Sequence, residues 1–284
     1  MIFLGTRDRT LAASRSTTTY QLRCKPGCSA FWVRQSNMTQ HELPRPKRPA
    51  LHKRAFRRLV EFRGFQRIPL NQYRTKIRSL YDGPAGGFLM LASMVSLHQP
   101  LMGRVLKKGN FDLGRFKSIL DVGSGAGQIL GHLLKHTHPE VRIVACDLSP
   151  QMLRRARTRH TRTDSRPWYV AADMMHLPFP DNSFDCVTCG YVLEYLPDPA
   201  PGLAEMRRVL KPGGSLLLAA TEDTYTGFMN GRMWKCRTFN RDELRNACNQ
   251  AGLPWNRQLW FTKAHEFLKL GGIIVEAVKE PHGE

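Results

Sequence analysis

Apolar residues recur along residues 117–278 in two alternating patterns, short continuous runs and helical spacings. The runs predict strands at 117–122, 141–146, 168–171, 184–190 and 215–220, with a last pair at 257–261 and 273–278. The helical spacings predict helices at 127–136, 150–160, 200–210 and 240–251. Strands that alternate with helices of this length form a mostly parallel sheet covered on both faces. The pattern therefore predicts an α/β fold.

The segment 119–128 carries the clearest chemical signal, because an apolar run ends at Asp121 and glycines follow at Gly123, Gly125 and Gly127. This order predicts a strand, a tight loop and a helix. Glycines let backbone amides approach a ligand closely, and the first helical turn adds unpaired N–H groups. The third glycine comes one residue earlier than in the dinucleotide-binding spacing G-x-G-x-x-G. The neighbouring acid favours a cationic ligand over a pyrophosphate.

Two further acids come at or near the ends of predicted strands, where ligands bind in parallel sheets. Asp147 ends the second strand and can accept both hydroxyls of a ribose, or it caps the next helix. Asp173 follows the third strand, where it can accept from an adenine amine with Met174 against the ring. Together with the glycine loop, these acids predict one site for a nucleoside with a cationic group.

Five motifs, in this order, resemble those of the class I S-adenosylmethionine-dependent methyltransferases of the small-molecule branch: 121–127, 146–150, 173–179, 183–185 and 208–214. The resemblance implies a Rossmann-like, doubly wound sheet of seven strands with an antiparallel last strand. It implies S-adenosyl-L-methionine as cofactor. The expected cofactor contacts are Asp121, Gly123, Ser124, Gly125, Gly127, Asp147, Leu148, Met152, Asp173, Met174 and, at the end of the fourth strand, Cys189.

Within that superfamily the chain looks most like the ubiquinone/menaquinone-biosynthesis C-methyltransferases. The likeness includes the leader 81–96 and the fourth strand at 185–188. Two segments depart from the family: its second Tyr-Asp is Phe88-Leu89 here, and its Gly-Leu-Arg-Asn is 192–195, Val-Leu-Glu-Tyr. Since the family places both segments beside the acceptor, the resemblance specifies the cofactor more closely than the acceptor.

The net charge of +20 is concentrated in the N-terminal quarter. Residues 1–80 contain 18 Lys and Arg but only 3 Asp and Glu, so an anionic partner would bind there. Residues 1–50 show no sustained period, and we predict disorder or an extension. An organelle transit peptide in residues 1–37 and an extension before Met38 are both open interpretations.

Residues 51–110 are predicted to hold a basic helix and two lid helices, ahead of a methyltransferase domain at 111–284. The helix at 51–65 is amphipathic. It predicts peripheral contact of residues 45–80 with an anionic membrane or nucleic acid, or else packing against the domain. The apolar segments at 84–106 predict a lid over the cofactor cleft, or packing against the sheet.

The seven cysteines form no paired framework, which favours a reduced, cytoplasmic protein, with attachment to a membrane surface as an alternative. No run of apolar residues is long enough to cross a bilayer, and no metal site is predicted. Cys186 and Cys189 have C-x-x-C spacing, but strand alternation places them on opposite faces.

The predicted function is methyl transfer to a small molecule, lipidic or quinone-like. A general base is needed only where the acceptor must lose a proton. His98 in the predicted lid is the preferred base, and the other candidates are Tyr81, His176, Tyr191 and Glu194. Two alternatives are an RNA or protein methyltransferase recruited by the basic arm, and a cofactor-binding protein without catalysis.

Overall fold

A computed structural model of the chain describes residues 70–82, 98–106, 111–160, 166–224, 227–229, 231, 236–268 and 272–280. The segment predicted to be disordered, 1–50, and the basic helix predicted at 51–65 lie outside these residues. Most of the predicted leader, 83–97, also lies outside them. The domain boundaries at 50 and 110 therefore stay predictions, as does the contact of residues 45–80 with an anionic partner.

The described residues include seven α-helices, two short 3-10 helices and seven strands. The helices are α1 (Leu70–Asp82), α2 (His98–Val105), α3 (Gln128–His136), α4 (Pro150–His160), α5 (Ala200–Val209), α6 (Arg241–Gln250) and α7 (Lys263–Leu268). The strands are β1 (Ser118–Val122), β2 (Arg142–Asp147), β3 (Trp168–Ala171), β4 (Phe184–Gly190), β5 (Leu210–Ala220), β6 (Trp255–Gln258) and β7 (Ile273–Val278). None of the described helices is long and apolar enough to cross a membrane.

The strands form one sheet in the order β3-β2-β1-β4-β5-β7-β6. The pairs from β3 to β5 are parallel, and β7 runs antiparallel to both β5 and β6. This confirms the predicted Rossmann-like sheet with its antiparallel last strand. The strand order reverses between β1 and β4, so the loops after these strands adjoin at the point where ligands bind in such sheets.

Each face of the sheet carries its own hydrophobic layer. One layer is covered by α1, α5 and α6, and the other by α2, α3 and α4. All five residues of β1 are buried, as expected for the centre of a sheet covered on both faces. Cys186 and Cys189 lie in opposite layers with buried free thiols, as the alternation of β4 predicts.

The structure corrects two strand boundaries and adds one helix. Residues 211–214, between the predicted helix at 200–210 and the predicted strand at 215–220, belong to β5, because Gly213 N donates to Lys279 O at 2.8 Å and Lys279 N donates to Gly214 O at 3.0 Å. Strand β6 covers Trp255–Gln258, shifted from the predicted 257–261. Helix α7 was not predicted, since its six residues are too few to show a helical period.

Candidate active site

The loop after β1 is held open by three glycines in the left-handed region, with φ of +67° at Gly123, +53° at Gly125 and +80° at Gly127. Side chains rarely adopt this conformation. A Cβ on Gly123 would also lie 2.3 Å from Val192, in the loop after β4. Gly127 caps α3, so the amides of the first helical turn lie at the end of the loop. The predicted strand, glycine loop and helix are confirmed.

Asp121 is buried in β1 with only one of its carboxylate oxygens satisfied. Thr188, its register partner on β4, donates its hydroxyl to Asp121 Oδ1 at 2.6 Å. Oδ2 has no hydrogen-bond partner among the described residues, and neither has the buried hydroxyl of Ser124. Burial raises the pKa of Asp121 to about 7, against the opposing effect of the Thr188 bond. A buried carboxylate oxygen of this kind calls for a donor or a cation.

Asp147 at the end of β2 joins the glycine loop to the start of α4. Its Oδ2 accepts from Gly125 N at 2.8 Å, and its Oδ1 accepts from Ser149 N at 2.8 Å. Burial raises the pKa of Asp147, while these two backbone bonds oppose the rise. Each oxygen keeps a second acceptor position. Asp147 therefore orders the backbone at the start of α4 and can still accept hydroxyl donors.

Asp173 is already engaged by α1, which the sequence did not reveal. Tyr73 donates its hydroxyl to Asp173 Oδ1 at 2.9 Å, and Arg74 Nε donates to Oδ2 at 2.6 Å. The backbone N–H of Met175 also donates to Oδ1, at 3.0 Å. The buried pair Tyr73 and Ile77 has the i, i+4 spacing that could have indicated this helix.

Helix α1 reaches the loops after three strands of the parallel part of the sheet. Besides Asp173 after β3, Arg78 Nε donates to Leu148 O after β2 at 3.2 Å. The Tyr81 hydroxyl contacts the Tyr195 hydroxyl after β4, with the ring centroids 5.8 Å apart. α1 thus lies across the carboxyl ends of β2, β3 and β4.

Helix α2, part of the predicted lid, packs elsewhere. Its Met102 and Val105 belong to the hydrophobic layer that contains Leu130 and Leu133 of α3. This corresponds to the alternative of packing against the sheet. His98 begins α2, but its side chain lies outside the described residues, and its role as a base stays a prediction.

The remaining predicted contacts cluster around the same strand ends. Met152 and Met174 are buried, Leu148 is partly buried, and Cys189 is buried near the end of β4 beside Val122 of β1. Burial raises the pKa of Cys189 well above its usual range, so it presents a neutral thiol. The structure therefore brings all eleven predicted cofactor contacts to one end of the sheet; their roles stay predictions.

The loop after β4 contains a second buried carboxylate with one oxygen that lacks a partner among the described residues. Glu194 is buried in the turn Leu193–Tyr195, and its Oε1 accepts from Thr221 N at 2.7 Å. Its Oε2 has no partner within the described part of the chain. Burial raises the pKa of Glu194 to about 7, and its bonds to the backbone and to the Thr221 side chain oppose the rise.

The comparisons agree with this arrangement. The family model of a methyltransferase domain matches residues 120–218. The demethylmenaquinone methyltransferase of Lactiplantibacillus plantarum is 33% identical over 153 residues, which are 53% of this chain and 65% of that protein. The corresponding enzyme of Deinococcus radiodurans is 42% identical over 102 residues, 36% of this chain and 42% of its own. The match thus spans less than two thirds of these relatives.

A solved structure extends the agreement to the fold. A methyltransferase of Haloferax volcanii, solved with the Trm112 methyltransferase activator, superposes with a TM-score of 0.54 at 22% identity. The superposition covers 65% of this chain and 90% of the Haloferax chain. With the sheet order and the glycine loop, these matches support a class I S-adenosylmethionine-dependent methyltransferase domain of the small-molecule type around residues 120–218.

Proposed function

We propose that this chain transfers a methyl group from S-adenosyl-L-methionine to a small-molecule acceptor. The observation that carries the proposal is the pair of incompletely bonded groups at the glycine loop, Asp121 Oδ2 and Ser124 Oγ. Both groups are buried at the loop whose glycines have positive φ. A ligand with an ammonium group and hydrogen-bonding oxygens satisfies them, and the amino-acid end of S-adenosylmethionine has both.

The other contacts follow from their positions in the sheet. Asp147 accepts the ribose hydroxyls with the acceptor positions left by its backbone bonds. Asp173 accepts the adenine amine, while Met174 packs against the ring; Tyr73 and Arg74 hold the carboxylate in place. Leu148, Met152 and Cys189 line the nucleoside.

The protein's part in the chemistry is mainly alignment. S-adenosylmethionine supplies a methyl group on a positively charged sulfur that leaves as a neutral thioether. The glycine loop, Asp121 and Asp147 would hold the amino-acid and ribose ends of the bound cofactor and so orient its methyl group. Such alignment is worth roughly 7–11 kcal/mol of barrier.

For the acceptor we propose an aromatic molecule that bears a hydroxyl group. Two observations support this class. The matched relatives are named for demethylmenaquinone. On the acceptor side, the phenols of Tyr81 and Tyr195 meet beside the buried Glu194. The segment 192–195 differs from the family motif, so the acceptor of this chain need not be that of its relatives.

A labelled-methyl assay tests the proposal. The full chain is incubated with S-adenosylmethionine carrying a radioactive methyl group and with reduced quinones, phenols, RNA and protein fractions. We expect label in the small aromatic fraction and none in the Asp147→Ala variant. Label in the RNA or protein fraction alone would contradict the small-molecule assignment.

A further inference from the structure

Glu194 stands out among the buried acids because the proposed cofactor contacts do not use it. It is 3% exposed, and one carboxylate oxygen has no partner among the described residues. A buried oxygen without a partner costs roughly 1–3 kcal/mol, more when it is charged. A cost of this size at the open end of the sheet points to a ligand that supplies the missing donor.

The position of Glu194 places it on the acceptor side of the glycine loop. Val192, two residues earlier, packs against Gly123, since a Cβ there would lie 2.3 Å from its side chain. Tyr195, the next residue, contacts Tyr81 of α1 through its hydroxyl. The segment that contains Glu194 therefore runs from the loop proposed to hold the cofactor to the tyrosine pair.

The carboxylate is held in a fixed orientation. Thr221 N, after β5, donates to Oε1 at 2.7 Å, which leaves Oε2 as the available oxygen. Arg237 is the positive group that favours the charged carboxylate, but its side chain pairs with Glu243 and donates to Pro197 O at 3.3 Å. No described cation binds Glu194 directly, so Oε2 remains able to take a proton.

Resting on the proposed function, we propose that Glu194 is the general base of the reaction, and that it accepts the hydroxyl proton of an aromatic acceptor. As the O–H bond breaks, the proton goes to Oε2. The freed electron pair forms the new bond to the methyl carbon, from oxygen or through the ring from a conjugated carbon. The pair of the broken carbon–sulfur bond stays on sulfur.

The surroundings of Glu194 suit this step. The groups whose titration its charge affects are the phenols of Tyr81, Tyr191 and Tyr195 and the thiols of Cys189 and Cys236. Burial raises the pKa of each of them, so all are neutral near pH 7. With a pKa of about 7, Glu194 is the group of this cluster that changes charge near neutral pH. A base with such a pKa is charged above pH 7 and binds a proton readily.

The test compares wild type with Glu194→Gln, which keeps an oxygen for Thr221 N but cannot take a proton. The probes are 1-naphthol and 1-methoxynaphthalene, titrated into the full chain loaded with S-adenosylhomocysteine. We expect wild type to bind naphthol at least about 10-fold more tightly at pH 8 than at pH 5.5, from the strength of a bond to a charged acceptor. The variant should bind it weakly at both pH values, and methoxynaphthalene equally to both proteins.

Glu140→Gln is the matched control, since it makes the same change at an exposed residue before β2 and should bind naphthol like wild type. Equal binding of naphthol by wild type and Glu194→Gln, or no binding by either, would overturn the inference. Affinity for S-adenosylhomocysteine is measured first in every protein. If wild type does not bind S-adenosylhomocysteine, the proposed function is contradicted. If wild type binds it but naphthol binding does not depend on Glu194, only the role of Glu194 is contradicted.

Discussion

Thr188 of β4 donates its hydroxyl to Oδ1 of Asp121 on the neighbouring strand β1, at 2.6 Å. This bond determines which carboxylate oxygen remains available, because Oδ2 is left buried and unbonded within the described residues. The sheet register thus presents one acceptor oxygen beside the glycine loop. Glu194 shows the same arrangement, because Thr221 N donates to Oε1 and Oε2 has no partner within the described residues.

The Asp121→Asn variant is expected to bind the cofactor more weakly and to have a higher free energy of unfolding. Burial raises the pKa of Asp121 from 3.8 to about 7. The free energy of unfolding therefore falls as pH rises from about 4 to 7, because the folded protein must then hold a buried charge. Removing the charge should stabilise the free protein at pH 8 by up to about 4 kcal/mol, and by less at pH 5. Thermal unfolding at both pH values measures this. An effect that does not change with pH would contradict it.

The Thr188→Val variant is expected to weaken cofactor binding about 10-fold without touching the ligand. Loss of the hydroxyl removes a bond that lowers the pKa of Asp121, so the pKa should rise further above 7. The pH at which cofactor affinity reaches its plateau should move up accordingly. Thr188→Ser keeps the donor and should behave like wild type. Calorimetric titrations from pH 6 to 9 distinguish these outcomes.

Two glycines of the loop should differ in their tolerance of alanine. Gly125 and Gly127 both have positive φ, but a Cβ on Gly125 meets no atom within 4 Å, whereas one on Gly127 would lie 2.8 Å from His160. Gly125→Ala should cost about 1–2 kcal/mol for its left-handed conformation. Gly127→Ala should cost more, by the displacement of His160. Urea unfolding of the two variants measures the difference, and equal costs would contradict the contact.

The Tyr73→Phe variant is expected to loosen α1 from the site. It removes the donor at 2.9 Å from a buried oxygen of Asp173, a loss of roughly 1–3 kcal/mol. Amide exchange in residues 70–82 should become about 10-fold faster or more. Thr75→Val, an exposed change on the same helix, serves as the control. Exchange as slow as in wild type would mean that Tyr73 does not hold the helix.

The sequence predicted the sheet well because each strand–helix unit carries its own hydrophobic period, and the glycine loop because few residue types adopt its conformation. It did not predict that Asp173 binds Tyr73 and Arg74, since those residues lie about 100 positions apart and nothing local pairs them. The hydrogen bond from Thr221 N to Glu194 was not predicted for the same reason. The early start of β5 depends on Lys279, which pairs with residues 213 and 214 only in the folded sheet.

Calorimetric titration of S-adenosylmethionine measures whether the loop at 121–127 and Asp147 bind this cofactor. Wild type should bind with a single site. Asp147→Ala removes the acceptor for Gly125 N and the ribose hydroxyls, and Gly123→Val forces a side chain against Val192, so both should abolish binding. If both variants fold and bind S-adenosylmethionine with the affinity of wild type, the cofactor does not bind at this loop.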